Sequence, residues 1–121
     1  MDRDHVVRRA LGASAVFNVG GAILFGFAST LGPIVGLPAP VPRIYAALLA
    51  MFVLLFGGSY AWLARQPEID RPLVALAAIG KASAFTLAAL FWLLGDIGGR
   101  AVIAVTGDLM FALVFAWWLL G

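Results

Sequence analysis

Residues 72–94 read PLVALAAIGKASAFTLAALFWLL, one apolar run broken by a single charge, Lys81, the only lysine in the chain. A run of this length matches the roughly 20 residues that an α-helix needs to cross a hydrocarbon core about 30 Å thick. A lone ammonium near the middle of such a helix costs roughly 2.5–3.5 kcal/mol on insertion scales. The stretch therefore predicts a transmembrane helix, and its lysine predicts a polar partner on another segment.

The rest of the chain is built in the same way. Of its 121 residues, 64% are hydrophobic and 12% are charged, against roughly a quarter charged in a soluble domain. The mean hydropathy is +1.05. Nothing shows the short alternating pattern of an outer-membrane barrel, and helices satisfy their own backbone hydrogen bonds in lipid. The expected fold is all-α, an integral membrane four-helix bundle running up-down-up-down as one domain over residues 1–121.

Breakers divide the runs. The first span is expected over about 10–31 and is closed by Gly32, Pro33, Gly36, Pro38, Pro40 and Pro42. The second, about 43–64, ends at the polar stretch of Arg65, Glu68, Asp70 and Arg71. The third covers about 72–94, opening on a proline suited to a first turn. The fourth, about 101–120, follows Gly98, Gly99 and Arg100. The short loops predict antiparallel neighbours. The start of the chain, MDRDHVVRRALGASAVFNVGG, imitates a secretory signal, but its apolar run is long enough to span and is read as a retained first helix.

Orientation follows the asymmetry of arginine. Arg3, Arg8, Arg9, Arg65 and Arg71 fall on one side, against Arg43 and Arg100 on the other. Both termini are expected in the cytoplasm, with the protein in a bacterial-type plasma (inner) membrane. Trp62, Trp117 and Trp118 fit an aromatic belt on the cytoplasmic side. Asp96 and Arg100 are spaced to pair in the third loop.

Depth arithmetic supplies the partner of Lys81. It lies about nine residues, or roughly 14 Å, into the third span from the cytoplasmic face. Asp108 lies about eight residues, or roughly 12 Å, into the fourth span from the opposite face. The two meet near mid-bilayer. Asn18 reaches the same level on the first span, flanked by Ser14, Ala15, Gly21 and Ala22, small residues that let helices approach closely. Tyr60 on the second span carries a hydroxyl that would approach the group from below. Lys81, Asp108, Asn18, Tyr60 and Ser14 form the candidate polar cluster, a possible ligand or proton site.

Several chemistries are excluded. There is no cysteine, so disulfides and thiolate metal sites are ruled out, and His5 stands alone in a charged tail, so no metal site is expected. A net charge of +2 spread over the chain ends and loops forms no basic stripe, so nucleic acid is not an expected partner. Phosphate loops, nucleophile elbows and internal repeats are lacking. No cofactor is expected.

Three functional readings remain. In the first, the cluster is a structural clasp in an accessory or assembly subunit, or in an oligomeric structural membrane protein, with lipid and a second copy or larger membrane complex as partners. In the second, the ion pair trades places with a proton and a substrate, making a proton-coupled small-molecule transporter or channel that works as an oligomer. The third is an intramembrane enzyme acting on a lipid or isoprenoid, with Asp108 as acid or base and Lys81 as nucleophile. The readings are ranked in that order, so the chain is taken as more a non-enzyme than an enzyme and no catalytic residue is assigned. Length and span number match small multidrug exporters and dimeric fluoride channels, but Asn18 stands where the exporters carry an acid, and Phe85-Thr86 alone is too little of the channel filter. The resemblance to both families stops at length and span number.

Overall fold

The helix boundaries lie where local chemistry puts them. In the computed structural model, which describes residues 2–121, Asp2 caps the first helix by accepting from the Asp4 N–H at 3.2 Å. This α1 runs Arg3–Gly26, so the helix begins in the polar tail well before the apolar run. It stops at Phe27, and a short α2 (Ala28–Leu31) and a 3₁₀ turn (Gly32–Val35) follow. Next comes α3 (Arg43–Arg65), ending on an extended Gln66 as the ring of Pro67 requires. Asp70 caps α4 (Arg71–Leu93) by accepting from the Leu73 N–H at 3.1 Å. Gly95, at φ 83°, closes that helix, and the Asp96 N–H returns to the Phe91 carbonyl at 2.9 Å.

The last span comes in two pieces, α5 (Gly99–Ala104) and α6 (Thr106–Leu120), separated by Val105 at φ −86° and ψ 2°. The Thr106 hydroxyl donates to the Val102 carbonyl at 3.1 Å, a back-bond of the kind that bends helices. Asp108 thus stands in the first turn of α6, where the helix dipole favours a carboxylate. The described residues contain no strand, and the fold is all-α. Four helical segments, Arg3–Gly26, Arg43–Arg65, Arg71–Leu93 and Gly99–Leu120, are long and apolar enough to cross a membrane.

Packing does not follow chain order. The broadest contact joins α1 to α3, and α1 also packs on α6, which packs on α4. Consecutive α3 and α4 touch little. The reason lies in small residues. Gly57 presses on α1, where an added Cβ would come within 3.0 Å of Asn18 Cβ and 3.4 Å of the Ala15 carbonyl oxygen. Gly21 closes on Val53, and Gly26 on Ala50. In lipid, where apolar side chains gain little from one another, such close approach decides which helices associate.

The two terminal segments are tied to the other helices at one end. Arg8 donates to the carbonyls of Ala64 and Pro67, each at 3.0 Å, and to that of Gln66, occupying acceptors at the end of α3. Trp118 Nε1 donates to Asp4 at 2.8 Å, Arg71 to the Leu119 carbonyl and Arg3 to the Trp117 carbonyl. Beneath lies the apolar core of Val7, Leu11, Leu63, Val74 and Phe115. Trp118 is therefore buried rather than part of an interfacial belt, whereas Trp62 and Trp117 are exposed. At the other end the Gly98 N–H donates to the Gly36 carbonyl at 2.8 Å. Arg100 reaches the Ile34 carbonyl at 3.4 Å and forms no ion pair with Asp96, because the 3₁₀ turn offers free carbonyls beside it.

Candidate functional site

Midway along the long helices the ammonium of Lys81 is held from two sides. Asp108 Oδ1 stands 2.8 Å from Lys81 Nζ, and Nζ donates to Asn18 Oδ1 at 2.6 Å. The amide of Asn18 cannot turn around, since its Nδ2 donates to the Val53 carbonyl at 2.9 Å. With the nitrogen engaged, only the oxygen is left for the ammonium. One polar chain thus runs from α3 through α1 to α4 and on to α6, touching all four long helices. Among the described residues Lys81–Asp108 is the only salt bridge.

Aromatic rings enclose the charge. Lys81 Nζ lies 4.9 Å from the ring centre of Phe17, 5.2 Å from Tyr60 and 5.5 Å from Phe111, within the range of cation–π attraction. Phe17 and Phe111 meet edge to face at 5.8 Å. Gly107 makes room for the cage: a Cβ there would fall 2.7 Å from the Phe17 ring. Lys81 is 3% exposed and the Asp108 side chain 13%. In a medium this dry, charge-assisted hydrogen bonds and ring contacts replace the water an ammonium has lost.

The expected members of the cluster divide accordingly. Lys81, Asp108 and Asn18 are joined directly. Tyr60 belongs through its ring face, and no hydrogen bond links its hydroxyl to the other three. Ser14 is fully buried on α1, and its hydroxyl has no partner among the described residues. It lies one turn from Asn18 and outside the polar chain, because Asn18 projects toward α3 and α4 and its amide is already satisfied there. Phe17, Phe111, Gly57 and Gly107 were not among the expected site residues. Phe111, three residues beyond Asp108 and so on the same helix face, was the one open to detection.

A cavity of about 220 Å³ adjoins the cluster. Lys81, Asp108, Asn18 and Tyr60 line it together with Phe17, Phe25 and Phe56. Its side follows from the loose contact between α3 and α4. No protein-family model, curated protein or solved structure matches this chain.

Proposed function

We propose that this chain is a small multi-pass membrane protein in which Lys81, Asp108 and Asn18 clasp four helices in one register, serving an accessory or assembly role in a membrane complex or homo-oligomer. The observation that carries this reading is the continuity of the polar chain: Val53 carbonyl, Asn18, Lys81 and Asp108, one link on each long helix. A charge pair needs no such connection to every helix in order to be neutralised. It does need one to set their relative heights, since sliding any helix by a turn breaks a bond that lipid cannot replace.

The bundle is proposed to run up-down-up-down with both termini cytoplasmic in a bacterial inner membrane. The pairing of Arg8 with the end of α3, and of Trp118 with Asp4, supports this topology, and the arginine bias supports its sense. Met51, Leu54, Leu55 and Trp62 on α3 face away from the bundle, a surface suited to lipid or a neighbouring subunit. Enclosure of Lys81 by three rings favours the clasp over a transport route.

A double-mutant cycle tests the proposal. Lys81→Met and Asp108→Leu should each cost about 3–5 kcal/mol by leaving a buried charge alone, while the combined variant should cost far less than their sum. Thermal unfolding and monodispersity in mild detergent read the effect. Single variants as stable as the parent would overturn the clasp.

A further inference from the structure

The cavity beside the clasp has unsatisfied chemistry of one kind. Asp108 Oδ1 faces Lys81, and the second carboxylate oxygen has no hydrogen bond among the described residues. Tyr60 is 4% exposed, lines the same cavity, and donates its hydroxyl to nothing among the described residues. Asp108 and Tyr60 therefore both border a space that Phe17, Phe25, Phe56 and Val53 also line. From this geometry we infer a binding site for a neutral lipid bearing a hydroxyl group.

The class follows by elimination on charge and protons. The ammonium and carboxylate already balance, so a fatty-acid anion would have to displace Asp108 and a cation would have to displace Lys81, each at the cost of a buried ion pair. A ketone or ester brings no proton to the free carboxylate oxygen. A hydroxyl donates to Asp108 and accepts from Tyr60, satisfying both groups together. Soluble sugars and polyols are excluded by the apolar walls, which would strand their remaining hydroxyls.

Access lies between α3 and α4. These helices touch little, and the cavity residues along the gap, Phe56 on one helix and Gly80 and Ala84 on the other, are exposed. A Cβ on Gly80 would meet nothing within 4 Å. The missing side chain keeps the mouth open toward the region that lipid occupies, so a hydroxyl-bearing lipid enters sideways and leaves its tail among the acyl chains.

The inference rests on the clasp only in that Lys81 must hold Asp108 in place, and the test separates the two. Farnesol binding to the purified full chain in detergent is measured by calorimetry, beside farnesyl methyl ether and palmitate. Farnesol should bind saturably; the ether, which has no proton to donate, and palmitate should bind at least tenfold more weakly. Tyr60→Phe keeps the ring against Lys81 and removes only the hydroxyl, so farnesol affinity should fall about tenfold with the unfolding midpoint unchanged. Gly80→Leu, filling the mouth, should abolish binding with the charge pair intact. The site is refuted if farnesol does not saturate, if the ether or palmitate binds as well, or if both variants bind farnesol like the parent. Failure of the charge-pair cycle with farnesol binding preserved would remove the clasp and leave the site.

Discussion

Asn18 and Gly57 meet so closely that a methyl group on the glycine would lie 3.0 Å from Asn18 Cβ, with the Ala15 carbonyl oxygen 3.4 Å away. The position that brings α1 and α3 together is thus the position that aims Asn18 at Lys81. Gly57→Ala should separate the helices and destabilise the protein by about 1–3 kcal/mol, as overpacking does. Its neighbour supplies the control. A Cβ on Gly58 meets nothing within 4 Å, so Gly58→Ala should stay within about 0.5 kcal/mol of the parent. Equal effects in detergent unfolding would show that the close approach does not matter.

Removing the amide should affect two helices at once. Asn18→Leu loses the charge-assisted bond to Lys81 and the bond to the Val53 carbonyl. A hydrogen bond to a charged group contributes about 1.5–3 kcal/mol, and the leucine is also bulkier near Gly57. Unfolding midpoints should fall by an amount that shrinks when Lys81→Met is already present, because both changes act on one network. Strict additivity would place Asn18 outside it.

The loops at the end opposite the termini carry their own constraint. Gly36 sits at φ 80°, and a Cβ there would lie 3.1 Å from the Gly98 Cα. Gly36→Ala must therefore adopt a left-handed conformation that costs an alanine about 1–2 kcal/mol, as well as push the two loops apart. Limited proteolysis should detect the separation as faster cleavage around residues 94–98. An unchanged cleavage pattern and midpoint would show the contact to be incidental.

The absence of cysteine from the chain makes its orientation easy to measure. With the proposed topology, a single cysteine at Asp96 should react with an impermeant maleimide added to intact cells, and one at Gln66 should react only after permeabilisation. The reverse pattern would invert the protein in the membrane without altering the clasp.

The levels of the polar residues could be read from the sequence because a helix rises by a constant 1.5 Å per residue. Lys81, Asp108 and Asn18 each lie about eight or nine residues into their spans when counted from the ends of the apolar runs, and the structure joins those three. Ser14 is the exception among the polar residues of α1. It shares the buried face of Asn18 one turn away, but its hydroxyl meets no polar group of another helix at that level, which counting along α1 does not reveal. Chain order likewise suggested α3 against α4, a contact that stays slight because Gly57 draws α3 onto α1.

Composition and the spacing of breakers determined that this chain forms long apolar helices, since a backbone in lipid has no other partner for its amides. Tertiary structure alone decided which helices are neighbours, which rings close on Lys81, and that α3 and α4 part to leave a cavity beside Asp108. Those outcomes depend on contacts between residues far apart in the chain, such as Gly57 with Asn18 and Gly107 with Phe17, and on rotations about helix axes that no local pattern encodes.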